Sequence, residues 1–288
     1  MTESASRATP GVLWREYRRW MRASAPSPRD GRPPSPIAGL SAQLVVAQSD
    51  YVRSAEGVVN QSLVRRLLAG ALSSVTSTTG EAAAWLRLLP NLRPTDVIGI
   101  KVNTVATHLA GHREVIDAVV ASLAAAGVTA DRIVIWDNLG RLGPLRNLIY
   151  GNVNRRSGSY YQGMERAGYT LSASSSPRVM CTVPVPPGVA YDPTITAKIP
   201  SLGLRLPVTR LLTEICDHVI NVPVVKDHRV TGMTCALKNF YGSVPLWDDL
   251  HPGNADRMHQ ARGNPQIAEL YANPVVSGKV RVHIVDAL

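Results

Sequence analysis

The chain has 288 residues, of which 45% are hydrophobic and 18% charged, with a net charge of +10. This is a globular composition, long enough for a real core, and it excludes a disordered or fibrous chain. Seven arginines against three acidic residues in 1–40 account for much of the charge; the remainder is too diffuse for a dedicated nucleic-acid reader and fits a small anionic ligand better.

Residues 1–40 read as a basic, Pro-rich flexible tail. Trp14, Tyr17 and Trp20 would lie on one side of a short amphipathic piece able to dock on a partner protein. Arg18 and Arg19 are not followed by an apolar run, so no export signal is expected. No stretch reaches the length of a membrane-spanning helix.

An α/β domain is expected from residue 41 to 288. Gln43–Ala47 is predicted as a first strand. Asn60–Thr76 is predicted as a helix because Leu63, Leu67, Leu68 and Leu72 share a face. Glu81–Leu89 is a second helix and Asp96–Val102 a buried strand. His112–Ala126 is an amphipathic helix closed by Gly127, and Arg132–Asp137 the next strand. Strand, helix, strand in this order predicts a mainly parallel central sheet with flanking helices.

The stretch 140–210 is rich in Pro, Gly and Ser and reads as loops, with a short helix over Tyr160–Ala167 and strands at Val179–Val185 and Ile195–Ile199. A short helix at Val208–Glu214 and a strand at Asp217–Pro223 follow. Lys279–Asp286 closes the chain as a core strand. Two lobes around a cleft, 41–140 and 205–288, are the expected arrangement.

Cys181, Cys216 and Cys235 are widely spaced and form no Cys-x-x-Cys pair. That argues against an iron–sulfur cluster held by this chain alone and against a disulfide framework, and for a reducing cytoplasm.

Chemistry concentrates between Val219 and Gly242. An apolar strand runs into Lys226-Asp227-His228-Arg229. A helix is expected to start near Thr231 and to carry Lys238 and Asn239. Cationic groups at a strand's carboxyl end, beside a helix N-terminus, favour an anion, and a histidine there can move a proton or bind a metal. Two of the five lysines fall in this stretch. A solvated basic loop is the plainer alternative.

Lys101 and Asn103 end another buried strand and are further candidates for holding a ligand, as is Asp137. Trp247-Asp248-Asp249-Leu250-His251 places two carboxylates beside a histidine, a set suited to a metal or to an ordinary acidic loop. His112 reads as a helix start. His218 and His283 read as satisfied core histidines. His108, His259 and Arg262 are weaker candidates.

These residues resemble the bacterial and archaeal family called domain of unknown function 362, over 44–288. The markers are Ile100-Lys101-Val102-Asn103, Gly127 with Ile133-Val134-Ile135-Trp136-Asp137, and Ile284-Val285-Asp286. The longest is Asn221-Val222-Pro223…Lys226-Asp227-His228…Thr231-Gly232…Leu237-Lys238-Asn239…Gly242. Many relatives carry a ferredoxin-like cysteine cluster that this chain lacks.

A more distant resemblance, His228-Arg229-Val230-x-Gly232 followed by Lys238, is to the nickel-pincer lactate racemases. It implies Lys238 as the tether of a nucleotide-type cofactor, His228 as the acid–base group and His251 as a metal ligand. The chain departs at Thr234-Cys235-Ala236, where that family is glycine-rich. The function expected is a metal- or cofactor-assisted enzyme, racemase, isomerase or redox in type, acting on a small anionic metabolite with nickel or iron or a lysine-tethered cofactor. The alternative is a non-catalytic anion- or metal-binding accessory protein docked through residues 1–40.

Overall fold

The computed structural model describes residues 43–104, 109–138, 177–180, 191–228, 231–245 and 264–288. At its centre is a five-stranded sheet of β1 (Ile98–Lys101), β2 (Ile133–Trp136), β3 (Arg178–Met180), β6 (His218–Asn221) and β9 (Val280–His283). The order is β3-β2-β1-β6-β9, and every pairing is parallel. All four residues of β1, β2 and β6 are buried. Strands covered on both faces need such unbroken apolar runs.

One face carries Ile98, Ile100, Ile133, Ile135 and Ile220. Against it pack α1 (Gln61–Thr76), α2 (Glu81–Leu88) and α3 (Arg113–Ala124). In α1, Val64, Leu68 and Leu72 recur every fourth residue and line the buried side. Asn60 caps this helix by accepting from Leu63 N at 3.1 Å. The opposite face carries Val134, Trp136 and Val219. It is covered by the antiparallel pair β4 (Tyr191–Ile199) and β5 (Leu204–Thr209), and by α4 (Pro265–Ala272) and α5 (Pro274–Ser277). Gly99 is needed in β1, because a Cβ there would stand 2.6 Å from Cys216 Sγ.

The chain leaves β1 through α3 on the first face to reach β2. It leaves β6 towards β9 through α4 and α5 on the other face. Right-handed crossovers running in opposite directions from two adjacent strands require this split. The strand order therefore reverses between β1 and β6, and a crevice opens at the carboxyl ends of those two strands. The stretches 41–140 and 205–288, read from the sequence as lobes, meet along this β1–β6 pairing within one sheet.

Several local expectations are corrected. Gln43–Ala47 forms no strand, and Leu44 and Val46 are 87% and 73% exposed. Val208 lies within strand β5 instead of opening a helix, and a single π turn, Leu211–Ile215, follows. No helix begins at Thr231. The chain forms a hairpin of β7 (Lys226–His228) and β8 (Gly232–Thr234), then a 3-10 turn, Lys238–Ser243. Gly232 takes φ +74°, a conformation that L side chains rarely adopt and that interrupts any helix there. Helix α4 had no sequence expectation. The helix expected over Tyr160–Ala167 lies outside the described residues.

Candidate functional site at the strand-order reversal

Lys101 ends β1 beside Trp136 of β2 and Asn221 of β6. Its side chain is fully buried. The ammonium donates to Asp137 Oδ1 at 2.6 Å, Val102 O at 2.6 Å and Asn239 Oδ1 at 3.2 Å. All three of its protons are thus committed inside the protein, so Lys101 works as an internal strut. Asp137 is satisfied in turn: its Oδ2 accepts from Thr104 N and Thr104 Oγ1, each at 2.8 Å. Gly242 lies against this pair, and a Cβ there would stand 2.9 Å from Asp137 Oδ1 and 3.0 Å from Lys101 Cε.

Asn239 joins the two strand ends. Its Oδ1 accepts from Lys101 and, at 3.1 Å, from Asn103 Nδ2. Its Nδ2 donates to Asn221 Oδ1 at 2.7 Å and to Lys101 O at 3.3 Å. Asn221 Nδ2 donates to Ala236 O and meets His283 Nδ1 at 2.8 Å, and His283 Nε2 lies 3.0 Å from Tyr271 Oη. Buried amides satisfied on every side fix the geometry of what they touch.

Lys226, His228 and Lys238 stand on this frame. Lys226 Nζ donates to Asn103 Oδ1 at 2.6 Å and to Leu109 O at 3.3 Å. Burial brings Lys226 down to about 8, with Asp137 opposing the shift and Lys101 adding to it. Lys238 is 8% exposed. Its Nζ donates to Thr234 Oγ1 at 3.2 Å and lies 5.5 Å from the centre of the Tyr241 ring. Burial, and then repulsion from Lys226, bring Lys238 down to about 7. His228 is held below its ordinary value by burial and by both lysines, Lys238 first. Its Nδ1 accepts from Thr231 N at 3.2 Å, so the neutral ring carries its proton on Nε2. Among the described residues, Lys238 has no carboxylate partner.

Four of the expected residues, Lys101, Asn103, Lys226 and Asn239, are joined by hydrogen bonds directly or through one another; Lys238 feels the charge of Lys226, and His228 stands within the field of both lysines. His251, Asp248 and Asp249, and likewise His108, His259 and Arg262, lie outside the described residues. Among the described residues no group of three or more His, Cys, Asp or Glu is placed to hold a metal. Sequence reasoning gave no role to Asn221, Thr104 or Tyr271. The available signal was a polar residue closing an apolar strand: Asn221 ends β6 as Lys101 ends β1, at the same register.

His112 is the N-cap residue of α3, as expected. Its backbone N donates to Asp286 Oδ2 at 2.6 Å and its Nδ1 lies 3.0 Å from the same carboxylate. His218 and His283 are both hydrogen-bonded within the protein, as expected of core histidines.

Fold and site together define a protein with a parallel central sheet and a cluster of two lysines and a histidine, set beside a buried hydrogen-bond network, where its strand order reverses. The family described as Domain of unknown function (DUF362) matches residues 98–288, and the chain belongs to it. No curated protein matches the chain. A similar solved structure is a structural-genomics crystal structure of a protein from Thermotoga maritima, 13% identical, with a TM-score of 0.43. The match covers 79% of this chain and 51% of that one, so the chain spans about half the length of that neighbour. Among the described residues no helix is long and apolar enough to cross a membrane.

Proposed function

We propose that the chain is an enzyme acting on a small anionic metabolite bound at the carboxyl ends of β1 and β6. Lys238 holds the ligand's carboxylate or phosphate, Lys226 adds charge, and His228 moves a proton. The observation that carries this reading is the gathering of two lysines and a histidine about one hairpin, with Lys238 lacking a carboxylate partner among the described residues. A cluster of that charge, partly desolvated, strengthens attraction for an anion well beyond its value in water. A histidine below its usual range is neutral near pH 7 and can accept a proton.

Proton transfer at a carbon beside the bound anion makes a racemase or isomerase the favoured class, with a redox step as the variant. A lysine-tethered nucleotide-type cofactor fits Lys238, whose amine at about 7 is partly unprotonated near pH 7, and would supply electron-accepting capacity when bound. A nickel or iron ion would rest on His251, Asp248 and Asp249.

The test is calorimetric titration with short 2-hydroxy acids, 2-oxo acids and phosphate monoesters, together with NMR detection of deuterium entering the ligand in D2O. Lys238→Met is expected to weaken anion binding by about tenfold or more, the worth of one charge-assisted contact. His228→Ala is expected to keep binding and stop exchange. Wild-type affinity and exchange in both variants would overturn the proposal. A chain that binds anions without exchange, and loses a co-purifying protein on deletion of residues 1–40, would be the accessory protein instead.

A further inference from the structure

A groove of about 910 Å3 runs between α1 and the edge strand β9. Leu67, Leu68, Ala71 and Val75 form one wall, and Val282 and Ile284 the other. The volume falls within the range of small-molecule sites, about 300–1,000 Å3. Gln43, Leu44, Val45 and Ala47 also line it, and the exposed Leu44 adds apolar surface at its side. Patches of this kind mark binding sites more often than bare surface.

Among the described residues the lining contains two ionisable side chains, Arg281 and His283, and no acid. Arg281 is 8% exposed. Its Nε donates to His218 Nδ1 at 3.0 Å, and among the described residues its Nη2 has no hydrogen-bond partner. His218 does not neutralise it: burial and Arg281 itself hold that ring below its ordinary value, and it is neutral near pH 7. Asp96 lies on the far side of His218, 3.4 Å from Nε2, and is already paired with Arg93 at 2.8 Å. Burial alone lowers the Arg281 pKa, with no carboxylate opposing the shift. A buried guanidinium lacking a carboxylate is costly, and an anion brought from outside removes that cost.

We propose that this groove binds a single-chain fatty carboxylate, its head on Arg281 and its apolar tail along α1. The assignment is independent of the site at β1 and β6. The absence of acids from the lining favours an anionic head, the apolar walls favour a hydrocarbon tail, and the unpartnered Nη2 supplies the missing donor.

The test uses the full chain, delipidated, titrated by calorimetry with laurate, with dodecanol and with acetate. Laurate is expected to bind one per chain, dodecanol about tenfold more weakly, as loss of a charge-assisted hydrogen bond implies, and acetate not measurably. Arg281→Met is expected to abolish the preference for laurate over dodecanol. Ala71→Phe, which fills the groove and leaves Arg281 in place, is expected to weaken both about tenfold or more, since each needs the same apolar space. The proposal is overturned if laurate and dodecanol bind alike, if Ala71→Phe binds laurate as the wild type does, or if no ligand binds. A concentration-dependent doubling of mass that blocks laurate would also overturn it, by assigning the groove to a second copy of the chain.

Discussion

Lys101 and Lys238 are both deeply buried, yet their surroundings give them opposite tasks. Lys101 is saturated by Asp137, Val102 and Asn239 and keeps its charge in a fixed place. Asp137→Asn should therefore cost about 3–5 kcal/mol in chemical denaturation, because it strands a buried cation. Among the described residues Lys238 has Thr234 as its hydrogen-bond partner, and it sits at about 7. In the unfolded chain this amine keeps its ordinary value of 10.5, so between about 7 and 10.5 the unfolded state holds more protons. This group's contribution to stability thus rises with pH across that window and is lost as pH falls through it. Lys238→Met should flatten that slope and raise the melting temperature at pH 7, a gain in stability made at the expense of binding. Anion affinity should fall between about pH 7 and 8, as Lys238 and then Lys226 lose their protons. Both lysines, and Asp137 at its strand end, were visible in the sequence as groups able to do chemistry. Which lysine is neutralised was not visible, because the answer depends on the register that sets Lys101 beside Trp136, immediately before Asp137.

At the scale of elements, the hairpin β7–β8 decides how the site is presented. In this hairpin Lys226 pairs with Thr234 and His228 with Gly232. Alternation along a strand puts Lys226 and His228 on one face and Asp227 on the other, which matches the partial burial of the first two and the exposure of Asp227. A helix from Thr231 would have separated Lys226 from Lys238 and offered a helix N-terminus to the anion; the hairpin offers side chains instead. The sequence misled here because Met233 to Lys238 suits a helix, while the requirement for positive φ at Gly232 leaves no trace in apolar periodicity. Gly232→Val should destabilise the protein by about 1–3 kcal/mol through backbone strain and weaken anion binding with it, measurable by denaturation and calorimetry on one sample. Gly242→Ala tests the 3-10 turn. Its methyl would press on a lysine and an aspartate already locked together, and a loss of about 1–3 kcal/mol is expected in urea denaturation. Long elements such as α1 and α3 were legible because their buried faces repeat over several turns. Gln43–Ala47 was not, because strand-like composition does not supply a neighbour to pair with.

For the whole molecule, the parallel sheet followed from strand–helix–strand order, but the order β3-β2-β1-β6-β9 did not. That order depends on which edge each crossover takes, and nothing local records the choice. It also determines when the site comes into being. β1 and β2 are near neighbours along the chain, so Lys101 and Asp137 can meet early. Ile98 finds its partner His218 only after a far longer loop has closed, and Lys226, His228, Lys238 and Asn239 all follow that residue. Contacts of such long range form late, because closure entropy delays them. A ligand spanning β1 and β6 would then act on one limb of the kinetics, slowing escape from the native state while the rate of reaching it stays unchanged.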